Sequence, residues 1–459
     1  MSTGTIQPPY DVVILGASGF TGKHVLREAL RHLSSTSSST SSPLKSIAIA
    51  GRNPTKLLHA LSWASHPNTP PPQIPIIPIT ITDRASLITL CSNSRIILNC
   101  IGPFRLSGSA VVSACVETGC DYLDICGEPE FMERMEVEWD ERAREKGSLV
   151  GSGCGFDSVP AEMGWLWNAR QWKGEERVSG VEAYVVLESE GKGGIVGNIG
   201  TFESAVLGVA NVEGLVALRK SRGKKARPVI LGAPPPKGPT IEHQKELGLW
   251  AVKLPSADAS VVRRTQICLA ENPGGLPGVN ETPDQIAEKE EFWSTVKPAY
   301  FGVKLGSKSY FGIRKFIIIG IFIGLLGRSS IGRWLLLSFP SFFSLGMFRK
   351  TGPTEDEVNS ASFKMYFVGR GFSDASKASP GKGKPDMEIV TRVTGPEIGY
   401  IATPIILIQC ALVLLTQRER LPKGGVFPPG VVFGPTDLLE RLQANGISFD
   451  VVSKRALPA

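Results

Sequence analysis

The 459-residue chain reads as an α/β protein that begins with a doubly wound parallel sheet. Two observations predict it. Short apolar runs rich in β-branched residues alternate with stretches of helical spacing from Val12 onward, the pattern of parallel strands joined by right-handed crossovers. The first of these runs also passes through a glycine-rich turn directly into a helix. The length leaves room for two or three domains.

Val12 to Leu15 is the first strand, an apolar run of the kind buried on both faces. Gly16 can take positive φ where that strand ends. Gly19 lets backbone approach a phosphate, and Gly22 lets the following helix, about Thr21 to Leu33, pack close to the strand. Ser18, Phe20 and Thr21 complete a loop whose amides and helix dipole suit the pyrophosphate of a dinucleotide. The serine tract from Ser34 to Ser42 reads as a flexible surface insertion. Ile47 to Ala50 is the second strand. An NAD site usually has Asp or Glu at its end, for the ribose 2′-OH; this chain has Arg52, a fork suited to a 2′-phosphate, followed by Asn53. NADP is therefore favoured over NAD, with NADPH the reduced form.

Ile74 to Thr80 gives a third strand, after which Asp83 either caps the Arg84–Cys91 helix or lies near the adenine. A fourth strand, Ile96 to Cys100, runs into Ile101-Gly102-Pro103. Its end, with Asn99, Cys100, Gly102 and Pro103, faces the crevice where a nicotinamide would lie. "CDYLDICGE" supplies a fifth strand and "SLVGSGCGFDSVP" a sixth, which enters another glycine-rich turn.

Assembled, "DVVILGASGFTG", "AGRNPTKL", "ILNCIGPFRLSG", "DYLDICGE", "GCGFDSVP", "GTFESAV", "KLPSADASVVRRTQ", "TGPEIGYIATP" and "GGVFPPG" resemble the saccharopine dehydrogenase-like oxidoreductase family and the related trans-acting enoyl reductases. The resemblance implies a Rossmann-type NAD(P)-binding domain over residues 1–154. It implies a second α+β domain, for substrate or dimerisation, over 155–395, and a C-terminal segment, 396–459, that returns to the first domain. It does not imply saccharopine as substrate, because fold and chemistry separate readily. On this division Asp157 or Ser158 caps the helix that Pro160 begins, and Thr201 caps a long helix running towards Arg222. "ASVVRRTQICLA" continues the second sheet, and a final helix stops at Gly446 before a last strand.

The catalytic residues are not evident. Asp157, Ser158, Thr201 and Ser204 are candidates for the substrate pocket, although capping alone explains them. Tyr300 and Lys304 match the Tyr-x-x-x-Lys spacing of short-chain dehydrogenases but lie outside the cofactor domain, so they read as interfacial anchors. Asp258 with Arg263 and Arg264 offers either a site for an acidic substrate or, the favoured reading, an ordinary sheet-edge ion pair. The eight cysteines include no C-x-x-C, only Cys115, Cys120 and Cys126 cluster, and there are five histidines. Buried reduced thiols and no metal site are expected. A first strand starting by residue 12 leaves no room for a secretory signal peptide.

One stretch stands apart. Residues 292–354 hold nine Lys or Arg and no Asp or Glu, against a net charge of +7, which leaves the remainder at −2. Basicity is therefore local, and it surrounds "FIIIGIFIGLL" (316–326) and "WLLLSFPSFFSLGMF" (334–348). Both runs are too short to cross a hydrocarbon core of about 30 Å. Residues 313–350 therefore read as a helical hairpin lying in one leaflet of a membrane or in a lipid-droplet monolayer, facing the cytoplasm, with cations at the headgroups. A helix pair buried in a homodimer interface competes with this. Nucleic acid fits poorly, since a phosphate-binding face needs no eleven adjacent apolar residues. Two classes of function remain: an NADP-dependent reductase of a small, lipid-type substrate at such a surface, or a non-catalytic NADP-binding scaffold there. A soluble amino-acid dehydrogenase would have no use for 313–350.

Overall fold

The structure, a computed structural model, describes residues 7–34, 42–65, 70–191, 194–223, 225–236 and 238–458. Six strands appear in chain order: β1 (Tyr10–Leu15), β2 (Ile47–Gly51), β3 (Ile76–Pro78), β4 (Ser94–Asn99), β5 (Asp121–Asp124) and β6 (Leu149–Gly151). They pair in parallel in the spatial order β6-β5-β4-β1-β2-β3. The order reverses between β1 and β4, which puts the ligand crevice at their C-terminal ends. Helices cover both faces, so Val12 to Leu15 are buried on each side. The third strand is shorter than the Ile74–Thr80 run because Pro75 and Pro78 have no N–H for a ladder. Ser34 ends the first helix, and the serine tract from 35 to 41 lies outside the described residues.

The second domain carries β7 (Arg177–Ser189), β8 (Gly197–Asn198), β9 (Ile241–Gln244), β10 (Leu249–Lys253), β11 (Tyr300–Ser307), β12 (Phe348–Arg349), β13 (Ala361–Phe372) and β14 (Met387–Pro396). The C-terminal segment adds β15 (Gly425–Phe427) and β16 (Ser448–Ala456). The larger sheet is mixed, in the order β16-β14-β13-β7-β11-β10-β9, while β8 and β12 form a two-stranded ladder. Beyond β14 the chain returns to the first domain: β15 extends the parallel sheet beside β6, and the helix Thr403–Gln417 packs on the helix Phe20–Ser34. Ile398–Arg420 is long and apolar enough to cross a membrane, but its apolar window is 78% buried, as in a core helix.

Four local expectations are corrected. "ASVVRRTQICLA" is not a strand but part of the helix Asp258–Glu271, whose buried residues Asp258, Val261, Val262, Thr265 and Gln266 follow helical spacing. Its paired valines resemble a strand only locally. The long helix after β8 is two helices, Ile199–Ala210 and Val212–Ser221, bent by 59°. Asn211 Nδ2 donates to the Leu207 carbonyl at 2.8 Å, taking the acceptor a continuing helix would use. The cap of the first is Asn198, whose side chain accepts from Gly200 N at 3.0 Å, and not Thr201. The C-terminal segment also does not pack on the first domain alone: β16 pairs with β14 and covers the edge that strand would otherwise expose.

Candidate active site

The loop after β1 has the geometry of a phosphate cradle. Gly16 takes φ +88°, and a Cβ on Gly22 would lie 2.2 Å from the Gly16 carbonyl oxygen, so neither position admits a side chain. Gly19 and Ser18 are exposed at its crest, with Phe20 and Thr21 half-buried behind them. The helix Phe20–Ser34 has no acidic residue in its first turn, and its leading amides lack intrahelical acceptors. Such an end suits an anion.

The other expected cofactor residues divide. Arg52 is exposed at the end of β2, with no carboxylate partner among the described residues. Asn53 caps the helix Pro54–Ala64 by accepting from Lys56 N at 3.0 Å. Asp83 caps the helix Arg84–Ser92, accepting from Ala85 N at 3.1 Å and Ser86 N at 3.3 Å, so its cap role is occupied. Cys100, Gly102 and Pro103 follow β4 at the crevice, where burial pushes the Cys100 thiol up to about 12. Asn99 is fully buried: its amide donates to Tyr122 Oη at 3.1 Å and accepts from Ile101 N at 3.0 Å. It shapes the turn from within and offers a ligand no surface.

Opposite the glycine loop, the second domain and the C-terminal segment close in. A Cβ on Gly352 would meet the Phe20 ring at 2.5 Å. The Tyr400 ring stands edge-on to Phe20 at 4.7 Å, and its hydroxyl accepts from Asn198 N at 2.7 Å. Glu397 binds the amide of Gly399 at 2.8 Å, and burial raises its pKa to about 7. His24 lies beneath, held near 3 by burial first and then by Lys23 and Arg27, so it is neutral at physiological pH.

The helix Ile199–Ala210 forms the crevice's other wall. Ser204 Oγ donates to Glu128 Oε1 at 3.0 Å, and the Glu128 carboxylate also accepts from Phe104 N at 2.9 Å and Arg105 N at 3.1 Å. Thr201 is exposed on the same helix. Asp157 lies over Gly127, where a Cβ would meet its Oδ2 at 2.6 Å. Solvent reaches Asp157, yet the protein around it raises its pKa by desolvation. Ser158 occupies the N-cap of the helix Val159–Ala169 without making a cap bond. Asp258 is buried, accepts from Ser256 Oγ at 2.8 Å and pairs with no cation among the described residues. The expected ion pair is absent because Arg264 bonds Glu136 instead, Nε to Oε2 at 2.8 Å.

The structure sets the predicted Ser204 against Glu128 and places Tyr400 and Glu397 opposite the glycine loop, three neighbours that sequence reasoning did not single out. The clue to Glu128 was its place in the loop after β5, at the N-cap just before Pro129, the N1 proline of the next helix.

The sequence pattern of the saccharopine dehydrogenase NADP binding domain matches residues 12–150. A probable mitochondrial saccharopine dehydrogenase-like oxidoreductase of Arabidopsis thaliana is 60% identical, covering 98% of this chain and 97% of its own. The chain belongs to the saccharopine dehydrogenase-like oxidoreductases. Caenorhabditis elegans has a relative named lipid droplet localized protein, 30% identical over 97% of this chain and 99% of its own. Apo saccharopine dehydrogenase (L-Glu forming) from Saccharomyces cerevisiae shares the fold, with a TM-score of 0.50 at 10% identity, covering 97% of this chain and all of its own. As a member of this family the chain has an NADP-binding first domain, and the glycine cradle and unpaired Arg52 fit that cofactor.

Two outcomes follow for this oxidoreductase. Arg52→Asp should weaken NADPH by roughly ten- to a hundred-fold, the loss of a charged hydrogen bond worth about 1.5–3 kcal/mol, and weaken NADH far less. Tryptophan fluorescence titration measures both, and equal losses would show that Arg52 does not read the 2′-phosphate. Tyr300→Phe should leave NADPH turnover largely intact. Tyr300 and Lys304 lie on β11, and Lys304 is paired with Glu242 at 2.7 Å and Glu182 at 3.0 Å, so sheet ion pairs replace the expected interfacial anchoring. A loss in kcat of about 100-fold would restore a proton-donor role.

Proposed function

We propose that the chain is an NADPH-dependent reductase of a lipid-type substrate, working on the cytoplasmic face of a membrane or on a lipid-droplet monolayer. The observation that carries this reading is the two-sidedness of the helix Ile199–Ala210. Its Ser204 faces Glu128 at the crevice, while Phe202 and Val206 pack with Ile319, Leu336 and Met347 beneath an apolar hairpin.

The hairpin consists of the helices Tyr310–Leu326 and Ser330–Ser338, and it has two faces. The inner face is that packing cluster. The outer face of the first helix runs Phe311, Arg314, Ile318, Ile321 and Leu325, and Arg328 follows in the turn after it, all exposed. The second helix continues it with Ile331 and Trp334, which are 72% and 63% exposed. A monomer seldom leaves so many large apolar side chains together in water, and such patches mark lipid or partner contacts. The first helix has 17 residues, about 25 Å at ~1.5 Å per residue, too short to span. Arg314 and Arg328 punctuate the stripe where headgroups would lie, each adding about 1 kcal/mol on an anionic surface. The name of the C. elegans relative supports the same location.

Bound NADPH supplies a hydride. The chain's own contribution is to hold the pyrophosphate at the Gly16–Gly22 loop, close the crevice with Phe20, Tyr400 and Gly352, and present the wall of the helix Ile199–Ala210 to a substrate arriving from the lipid. The test is flotation of the full-length protein with vesicles. It should float more strongly with anionic lipid and be only partly released by high salt. Failure to float, with a stable dimer in lipid-free buffer, would overturn the reading in favour of a buried interface.

A further inference from the structure

We propose that Asn99, Tyr122 and Asp124 are positioning residues for the nicotinamide end of NADPH, acting as one hydrogen-bonded chain beneath the crevice. This goes beyond the lipid reading and does not depend on it, since it rests only on the NADP-binding first domain.

The chain begins where the ladder stops. Cys100 N donates to the Leu15 carbonyl at 2.9 Å, a main-chain bond at the end of the β1–β4 pairing. The next amide, Ile101 N, donates instead to Asn99 Oδ1 at 3.0 Å, so the entry to the Ile101-Gly102-Pro103 turn hangs on one side chain. Asn99 Nδ2 donates to Tyr122 Oη at 3.1 Å, and that hydroxyl donates to Asp124 Oδ2 at 2.9 Å. Asn99 stands beside Asp124 in the β4–β5 register, and Tyr122 shares a strand face with Asp124 two residues on. Asp124 closes the chain on β6: Ser152 Oγ donates to its two oxygens at 3.0 and 2.9 Å, and Gly153 N to Oδ1 at 2.8 Å. Cys126 N adds a bond to Oδ1 at 2.9 Å. The turns after β4, β5 and β6 are thus tied together at the strand ends where the nicotinamide half of a dinucleotide lies in this topology.

Three features set the chain apart from ordinary core packing. Asn99, Tyr122, Asp124 and Ser152 are at most 1% exposed, while the strand residues among them, Ile96, Ile97, Leu98 and Leu123, are apolar. Polar groups there cost desolvation that apolar side chains of similar shape would avoid; what the polar set adds is a fixed geometry. The charge of Asp124 is met by hydrogen-bond donors alone, with no cation paired to it among the described residues. Burial lifts its carboxyl to about 6, so at pH 8 it is ionised and can only accept. Tyr122 is then the donor, its phenol oxygen is left for the Asn99 amide, and Asn99 Oδ1 is turned towards Ile101 N. Finally, the turn abuts the cradle: a Cβ on Gly16 would lie 2.7 Å from Ile101 Cγ1. The cradle has its own anchor on the other side, where Gly16 N donates to the Ala50 carbonyl at 2.8 Å. The chain therefore sets where the nicotinamide-side turn stands relative to a cradle that is held without it.

Calorimetric titration of the full-length protein at pH 8 with two ligands tests this. One is NADPH; the other is 2′-phospho-ADP-ribose, which keeps the adenine, the 2′-phosphate and the pyrophosphate but lacks the nicotinamide. Tyr122→Phe keeps the ring and breaks the chain. It should weaken NADPH about ten-fold, the scale of a lost buried hydrogen bond, and leave 2′-phospho-ADP-ribose within about two-fold of the parent. Asn99→Leu should do the same, and the double variant should lose no more than either single one, because the chain is already broken. A residue that merely supports the fold would lower the melting temperature and weaken both ligands alike. Equal weakening of the two ligands, unchanged NADPH affinity in either single variant, or losses that add in the double variant would overturn the proposal.

Discussion

Gly19→Val should abolish NADPH binding while leaving the fold in place. Gly19 is exposed at the crest of the loop, and a Cβ there would lie 3.1 Å from the Gly16 carbonyl oxygen, a tight contact that the backbone can relieve by a small shift. The isopropyl group would then stand where the pyrophosphate must approach the amides of the first turn. Gly22 differs, since its Cβ would strike the Gly16 carbonyl at 2.2 Å and break the turn itself. Gly22→Ala should therefore lose thermal stability, and Gly19→Val should lose only binding. Fluorescence titration with a parallel melting curve separates them. Undiminished NADPH affinity in Gly19→Val would mean that the loop does not cradle the phosphates.

The triple change Ile318→Asp, Ile321→Asp and Leu325→Asp should eliminate association with anionic vesicles. These side chains are 43%, 52% and 72% exposed, so the fold loses little when they become polar. At a lipid surface each would place a carboxylate where an apolar group inserts, and three negative charges would oppose anionic headgroups. NADPH affinity should be unchanged, because the cradle lies on the other domain. Flotation equal to that of the parent would show that this face does not meet lipid.

Much of this was legible in the sequence. Parallel strands buried on both faces announce themselves as apolar runs, and the Gly16, Gly19 and Gly22 spacing located the cradle because sterics leave few alternatives there. The basic, apolar stretch was visible from composition, and the structure adds that only one side of each helix is buried. What escaped was set by tertiary contact. Val261 and Val262 gave Asp258–Glu271 a strand-like look, and the helical period shows only over the longer window that includes Thr265. Asp258 looked like half of an ion pair because Arg263 and Arg264 adjoin it in sequence, yet helical geometry turns Arg264 towards Glu136. Glu128 and Tyr400 reach the crevice from segments far apart in the chain, and no local pattern marks such a meeting.

The most direct measurement is NADPH consumption by the full-length protein with a cellular lipid extract presented in anionic vesicles, beside the same extract and the triple aspartate variant. A lipid-surface reductase should oxidise NADPH only when lipid is present, and the variant should lose that turnover while still binding NADPH. Equal turnover by parent and variant, or turnover on water-soluble amino acids without vesicles, would contradict it.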